Sequence, residues 1–75
     1  MISNMDLLNI MPPSAQIVYS IIQTHEPLST KELVSETTYS IRTIRYALRR
    51  LMNAQLIIQI PDITDTRRCY YAISS

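Results

Sequence analysis

Between Ser40 and Asn53 the chain carries Arg42, Arg45, Arg49 and Arg50 and not one acidic residue. The planar N–H fork of arginine pairs with phosphate oxygens or with the acceptor edge of guanine. Wound at about 100° per residue, the segment sets Ile44, Ala47, Leu48 and Leu51 on one stripe, the spacing of a helix face packed on a core. Arg42, Arg45, Tyr46, Arg49 and Asn53 fall opposite, with Arg50 at the edge. Most charged helix faces are merely solvated, but those usually mix Glu with Lys and gain from i,i+4 pairs. This one has no such partners, so it is suited to an anionic surface. Ser40 opens the helix, because its hydroxyl can accept from the free N–H groups of the first turn, typically worth about 1 kcal/mol over alanine.

Other chemistries find little support. A structural zinc site needs four Cys or His ligands and a catalytic one three, whereas the chain holds His25 and Cys69 alone. Cys69 reads as a small apolar thiol in the middle of a strand, and His25 as a helix-end residue, where a cation is mildly favoured. Phosphate-cradling glycine loops are impossible in a chain without glycine. Asp62 and Asp65 belong most simply to a turn. Tyr70 and Tyr71 face opposite sides of a strand, so one should join the core; base stacking is the sharper alternative for the other. No cofactor, no metal and no catalytic residue are expected.

The elements that must carry the arginines can be read from either side of them. Residues 1–11 hold Ile2, Met5, Leu7, Leu8, Ile10 and Met11, with Asn4 a plausible cap for a short helix. So apolar a segment either covers the domain or meets the same segment of another copy. Pro12-Pro13 then opens a helix whose apolar face is Ile17, Val18, Ile21 and Ile22 and which Glu26-Pro27 stops. Leu28 can form a minimal strand. Ser29 with Glu32 is a capping box, and Leu28 with Leu33 a hydrophobic staple, for a helix from Thr30 to about Glu36 with Leu33 and Val34 inward. Thr37-Thr38-Tyr39 turns into Ser40, and two helices so closely joined read as a helix-turn-helix.

After Asn53 the period becomes extended. Leu56–Ile60, ending at Pro61, and Cys69–Ile73 read as paired strands, joined by a polar stretch with Arg67 and Arg68 on its far side. Three core helices and a basic hairpin make an α+β, mostly α, winged helix-turn-helix over residues 12–75, with residues 1–11 as an added segment. With no glycine available, the wing at 61–68 is expected to be open rather than a tight two-residue turn.

A chain of 75 residues holds one domain, and at that size only about 60% of the unfolded surface can be buried. Its charge is unevenly placed. Through residue 40, Lys31 stands against Asp6, Glu26, Glu32 and Glu36; beyond it six arginines face Asp62 and Asp65. One cysteine forms no intramolecular disulfide. The N-terminus lacks the basic start and apolar core of a signal peptide, and no run reaches membrane-spanning length, so a soluble, cytoplasmic protein with no membrane partner is expected.

The segments Leu28–Leu33, Arg42–Leu51, Leu56-Ile57 and Asp65-Thr66-Arg67 together resemble the DNA-binding domain of the MarR family. The likeness is to its compact archaeal members, with a Pro-Pro-Ser opening and a Thr-Ile-Arg-Tyr-Ala-Leu recognition helix, and covers roughly residues 12–73. The resemblance implies a transcription regulator that lays residues 40–53 in the major groove of double-stranded DNA. Ser40, Arg42, Arg45 and Tyr46 would face base edges, and Thr30, Lys31, Arg49 and Arg50 phosphates. The wing would bring Arg67 and Arg68 to the minor groove, with Asp65 orienting Arg67. Long terminal helices make the dimer and enclose an effector pocket in full-length family members; this chain ends at Ser75, so no small-molecule effector pocket of that kind is expected. Family members usually place glycine where this chain has Gln55, so a left-handed backbone there would carry strain.

Two functions follow from different classes. One is a sequence-specific DNA-binding transcription regulator, acting as a homodimer on a two-fold site. The other is a winged-helix interaction module within a transcription assembly, its arginines paired with acidic residues of a partner.

Overall fold

The structure, a computed structural model, describes residues 4–65 and 67–74. Ile2, Thr66 and Ser75, which enter the sequence reading, lie outside the described residues. The elements run α1 (Asn4–Asn9), α2 (Pro13–His25), β1 (Leu28–Ser29), α3 (Thr30–Glu36), α4 (Ile41–Asn53), β2 (Ile57–Pro61) and β3 (Cys69–Ile73). The sheet is antiparallel in the order β1-β3-β2, so the hairpin forms the wing and β1 ties it to the helices. This is the winged helix-turn-helix that the sequence pattern implies.

Local signals set the helix starts. Ser29 Oγ accepts the Glu32 N–H at 3.2 Å and the Glu32 carboxylate accepts the Ser29 N–H at 3.2 Å, completing the capping box of α3. Ser40 Oγ accepts the Thr43 N–H at 3.3 Å and so caps α4. Pro13 is the first residue of α2, where its missing N–H costs nothing. Asn4 is the first helical residue of α1 rather than its cap. Glu26, before Pro27, is extended at φ −60° and ψ 147°, the conformation a following proline imposes, and α2 ends there.

The core gathers Ala15, Val18 and Ile22 from α2, Leu33 from α3, Ile44, Ala47, Leu48 and Leu51 from α4, and Leu28, Leu56, Ile57 and Tyr71 around the sheet. Met11 is buried with them, and Leu7 and Leu8 of α1 pack against the cluster. One expected core position fails. Ile17 is exposed, and Ala15 takes the inward place. The stripe 15, 18, 22 has helical spacing, and position 17 lies about 100° from 18 on the side away from it.

The exit of α4 is the most constrained backbone in the domain. The Leu56 N–H bonds to the Leu51 carbonyl at 3.0 Å and the Gln55 N–H to the Met52 carbonyl at 2.9 Å. These are the two bonds of a Schellman cap. Leu56, expected to begin the strand, instead closes this cap, and β2 starts at Ile57. The cap needs a left-handed residue, and Gln55 provides it at φ 60°, against the steric cost of its Cβ. Pro61 lies within β2 rather than beyond it, paired with Cys69. β2 is an edge strand, where a residue without an N–H is tolerated.

Gln55→Gly should therefore raise stability by about 0.5–1 kcal/mol, the relief of the Cβ clash offset in part by chain entropy. Thermal melting should show this as a rise of about 2–8 °C. A glycine variant melting at or below the parent would contradict a strained cap.

Candidate nucleic-acid interface

α4 positions the arginines because its other face is fully committed. Ile44, Ala47 and Leu51 are completely buried and Leu48 nearly so, which turns Arg42, Arg45, Tyr46, Arg49 and Arg50 outward, all of them exposed. Among the described residues none of the α4 arginines makes an ion pair; the two ion pairs both belong to Asp65. The positive charge of this face is thus not neutralised by any acidic side chain among the described residues.

Two concavities flank this face. A groove of about 960 Å³ runs between α4 and the wing, walled by Lys31, Arg45, Arg49, Arg67 and Arg68 over an apolar floor that includes Leu48, Met52 and Tyr71. A smaller hollow of about 460 Å³ lies along α4 itself, lined by Ile41, Arg42, Arg45, Tyr46 and Arg49. Lys31, at the start of α3, therefore joins the wing arginines and Arg45 and Arg49 around one groove, while Arg42 and Tyr46 share the second with Arg45 and Arg49. Arg50 lines neither and stands apart on the flank of α4. The Ser40 hydroxyl is engaged with Thr43, to which it also lies 3.2 Å from the side-chain oxygen. Thr30 is half-buried at the head of the groove, its hydroxyl facing the Tyr71 phenol.

The wing is open, as the lack of glycine requires. Among the described residues of the loop, the Asp62 N–H bonds to the Arg68 carbonyl at 3.2 Å and the Arg68 N–H to the Asp65 carbonyl at 3.0 Å. Each aspartate then organises one end. Asp65 Oδ1 accepts the Arg67 backbone N–H at 3.0 Å and lies 3.4 Å from Arg67 Nε, and its Oδ2 lies 3.6 Å from Arg68 Nε. One carboxylate holds both guanidinium groups at the tip. The pair is highly exposed, with the Arg67 side chain 90% accessible, so it orients the arginines more than it stabilises the fold.

Asp62 anchors the base of the loop. Thr64 donates to its Oδ1 from the hydroxyl at 2.6 Å and from the amide at 2.9 Å, while the Tyr70 hydroxyl donates to Oδ2 at 3.4 Å. The Thr64 hydroxyl, and after it the amide, hold the Asp62 carboxyl below its ordinary value. A depressed carboxyl favours the folded wing above its unfolded pKa and loses that contribution as pH falls through the folded one.

Several contributors have no local signature in the sequence. Tyr71 is buried between β1 and β2 with its phenol over the groove; burial pushes its pKa up, and the neighbouring Cys69 thiol adds to this. Cys69 opens β3 rather than lying mid-strand, and its thiol has polar company: Gln59 Nε2 donates to Sγ at 3.1 Å and the Tyr71 oxygen is 3.5 Å away. Glu26, at the end of α2, accepts the Ile73 N–H at 2.7 Å and fastens the last strand to the helices. Ile41, the first residue of α4, is exposed beside the arginines, although at about 100° per residue it lies only about 20° from Leu48, at the edge of the apolar stripe.

By sequence the chain matches no family model and no curated protein. By shape it matches well. A probable transcriptional regulator from Pseudomonas aeruginosa superimposes with a TM-score of 0.81 at 24% identity, over 91% of this chain and 52% of the other. A MarR variant from E. coli complexed with operator DNA gives a TM-score of 0.79 at 17% identity, over 92% and 54%. FabT from Streptococcus pneumoniae in complex with DNA gives 0.82 at 12% identity, over 97% and 49%. The domain has the MarR-like winged-helix fold. The chain spans about half the length of the solved structures it matches. Placed on that fold, α3 and α4 are the helix-turn-helix and the Asp65-held arginines are the tip of the MarR-like wing. No helix among the described residues is long and apolar enough to cross a membrane.

Thr64→Val deletes the hydroxyl that donates to Asp62 and keeps the amide. In a carboxyl NMR titration the Asp62 midpoint should move up toward the ordinary aspartate value. An unmoved midpoint would contradict the assigned cause.

Proposed function

We propose that this chain is a sequence-specific double-stranded DNA-binding transcription regulator that works in the cytoplasm, with α4 in the major groove and the wing at the adjacent minor groove. The observation that carries this reading is the outer face of α4, where exposed arginines without acidic partners stand beside a wing whose two arginines border the same groove. A duplex presents phosphates about every 1.7 Å along its axis, and a groove lined by Lys31, Arg45, Arg49, Arg67 and Arg68 against Glu32, which is engaged in the cap of α3, keeps a cationic excess to meet that density. The likeness in fold to two structures solved with DNA supports a DNA-binding role.

Within this reading Arg42, Arg45 and Tyr46 reach base edges, since the N-terminal part of a recognition helix does so. Lys31 and Arg49, spaced across the groove, take phosphates, with Thr30 beside Lys31 and Arg50 at the flank. Ser40 holds the helix start at the base edges, its hydroxyl committed to the cap. Arg67 and Arg68, aimed by Asp65, enter the minor groove, whose negative potential favours arginine.

Arg49→Ala should weaken binding to a preferred site and to random duplex alike and lower the slope of log affinity against log salt by about 0.9. Arg45→Ala should cost about 1–3 kcal/mol on the preferred site and flatten the base preference. Fluorescence-anisotropy titrations between low and moderate salt measure both; equal losses on both duplexes for both variants would contradict the division of roles.

A homodimer on a two-fold site completes the proposal, with the N-terminal segment as interface. Ile10 of that segment is 73% exposed and Ile17 of the following α2 is 44% exposed, apolar surface that the core does not use. Light scattering should give a dimer for the parent and a monomer for the Ile10→Glu, Ile17→Glu double variant. A dimer that survives both charges would place the interface elsewhere.

A further inference from the structure

Ile41 is a large apolar side chain, 48% exposed, at the first position of α4. It belongs to neither of the tasks that explain its neighbours. The core stripe of α4 is complete without it, through Ile44, Ala47, Leu48 and Leu51. The start of the helix is secured by Ser40, not by Ile41. Helix propensity does not call for it either, because an exposed isoleucine is a poorer helix former than alanine. Yet it lines both concavities, the groove beside the wing and the hollow with Arg42, Arg45, Tyr46 and Arg49, and so sits on the ridge between them, one turn before Arg45.

We propose that Ile41 is a specificity-determining residue that reads the C5-methyl group of a pyrimidine in the major groove, next to the base met by Arg45. This rests on the DNA-binding reading above. The first residues of a recognition helix lie against base edges. Phosphate and sugar offer an isoleucine little, and the base edges in the major groove present N7, O6, O4, N4 and N6, all polar. One apolar group remains, the methyl on C5 of thymine, which 5-methylcytosine also carries. An apolar side chain desolvated against a polar base edge leaves that edge without a hydrogen-bond partner, so Ile41 disfavours cytosine or a purine at that position as well as favouring the methyl. The arginine and the isoleucine together describe a mixed step, one base read through acceptors and its neighbour through a methyl.

The test starts by selecting bound duplexes from a random library with the intact chain, and again from a library in which every cytosine is 5-methylated. On the preferred duplex each thymine is then replaced in turn by uracil, which deletes the methyl and nothing else. At one position per bound helix the uracil duplex should bind about fourfold more weakly, the value of burying one such group. Ile41→Ala should lose a similar factor on the thymine duplex and be indifferent to uracil there. Thymine at that position in both selections assigns thymine as the source of the methyl; cytosine there in the methylated library alone assigns 5-methylcytosine, in which case removal of that methyl replaces the uracil step. The inference is overturned if the selected site holds no methyl-bearing base under the helix, or if every demethylated duplex binds within twofold of its parent. Because the methyl is removed from the DNA, this outcome does not depend on the folding of any variant. A chain that retains no duplex from either library overturns the DNA-binding reading itself, which is a separate and distinguishable failure.

Discussion

The burial of one apolar stripe on α4 governs the rest of this structure. Ile44, Ala47, Leu48 and Leu51 enter the cluster built by α2, α3 and the sheet, and each large member contributes about 1.5–3 kcal/mol by leaving water. A domain of this size is stable by about 5–10 kcal/mol in total, so the rotation of α4 about its axis has no freedom to vary. Turning the helix by one residue would bring an arginine into a dry core, at a cost exceeding the whole stability. The outward direction of Arg42, Arg45 and Arg49 is therefore a consequence of hydrophobic packing, and electrostatics need not hold them there.

The same helix sets the wing. Its Schellman exit sends the chain from Leu51 through Gln55 to Leu56, and both leucines are buried, so the direction of β2 is fixed by a cap with an apolar lock. β3 then returns along β2 and is fastened at its far end by Glu26 and by the Ser74 N–H to the Leu56 carbonyl. The strain at Gln55 is tolerated because bonds and burial on either side over-determine it. Arg67 and Arg68 end up across a groove from Arg45 and Arg49 because a rigid helix exit and a tethered strand leave the loop little choice of position.

Features made within a few residues were legible in the sequence. The Ser29 and Ser40 caps, the limits of α3 and the buried face of α4 each depend on side chains no more than a turn or two apart. Gln55 stands where the family resemblance implies glycine, and its φ of 60° is the left-handed conformation that glycine adopts without cost. On α2 the pattern was ambiguous. Ile17, Val18, Ile21 and Ile22 cover more of the helix surface than one contact face needs, and only the packing decided that Ala15, Val18 and Ile22 go inward. The Glu26 to Ile73 bond joins residues 47 apart and left no trace in composition or spacing. At the interface the arginines were visible by type, but their grouping around two concavities, with Arg50 outside both and Ile41 between them, depends on where the wing falls relative to α4.

The central claim is that the face formed by α4 and the wing is the surface that meets duplex DNA. The most direct measurement is an NMR titration of the isotope-labelled protein with a duplex, following backbone amides together with the arginine Nε–H signals. The account predicts shifts concentrated at residues 41–49 and 62–68 and at Lys31, with the Nε–H signals of Arg45, Arg49 and Arg67 among the largest. Shifts confined to the outer face of the hairpin around Ile58 and Ile60, or no shifts at all, would contradict it.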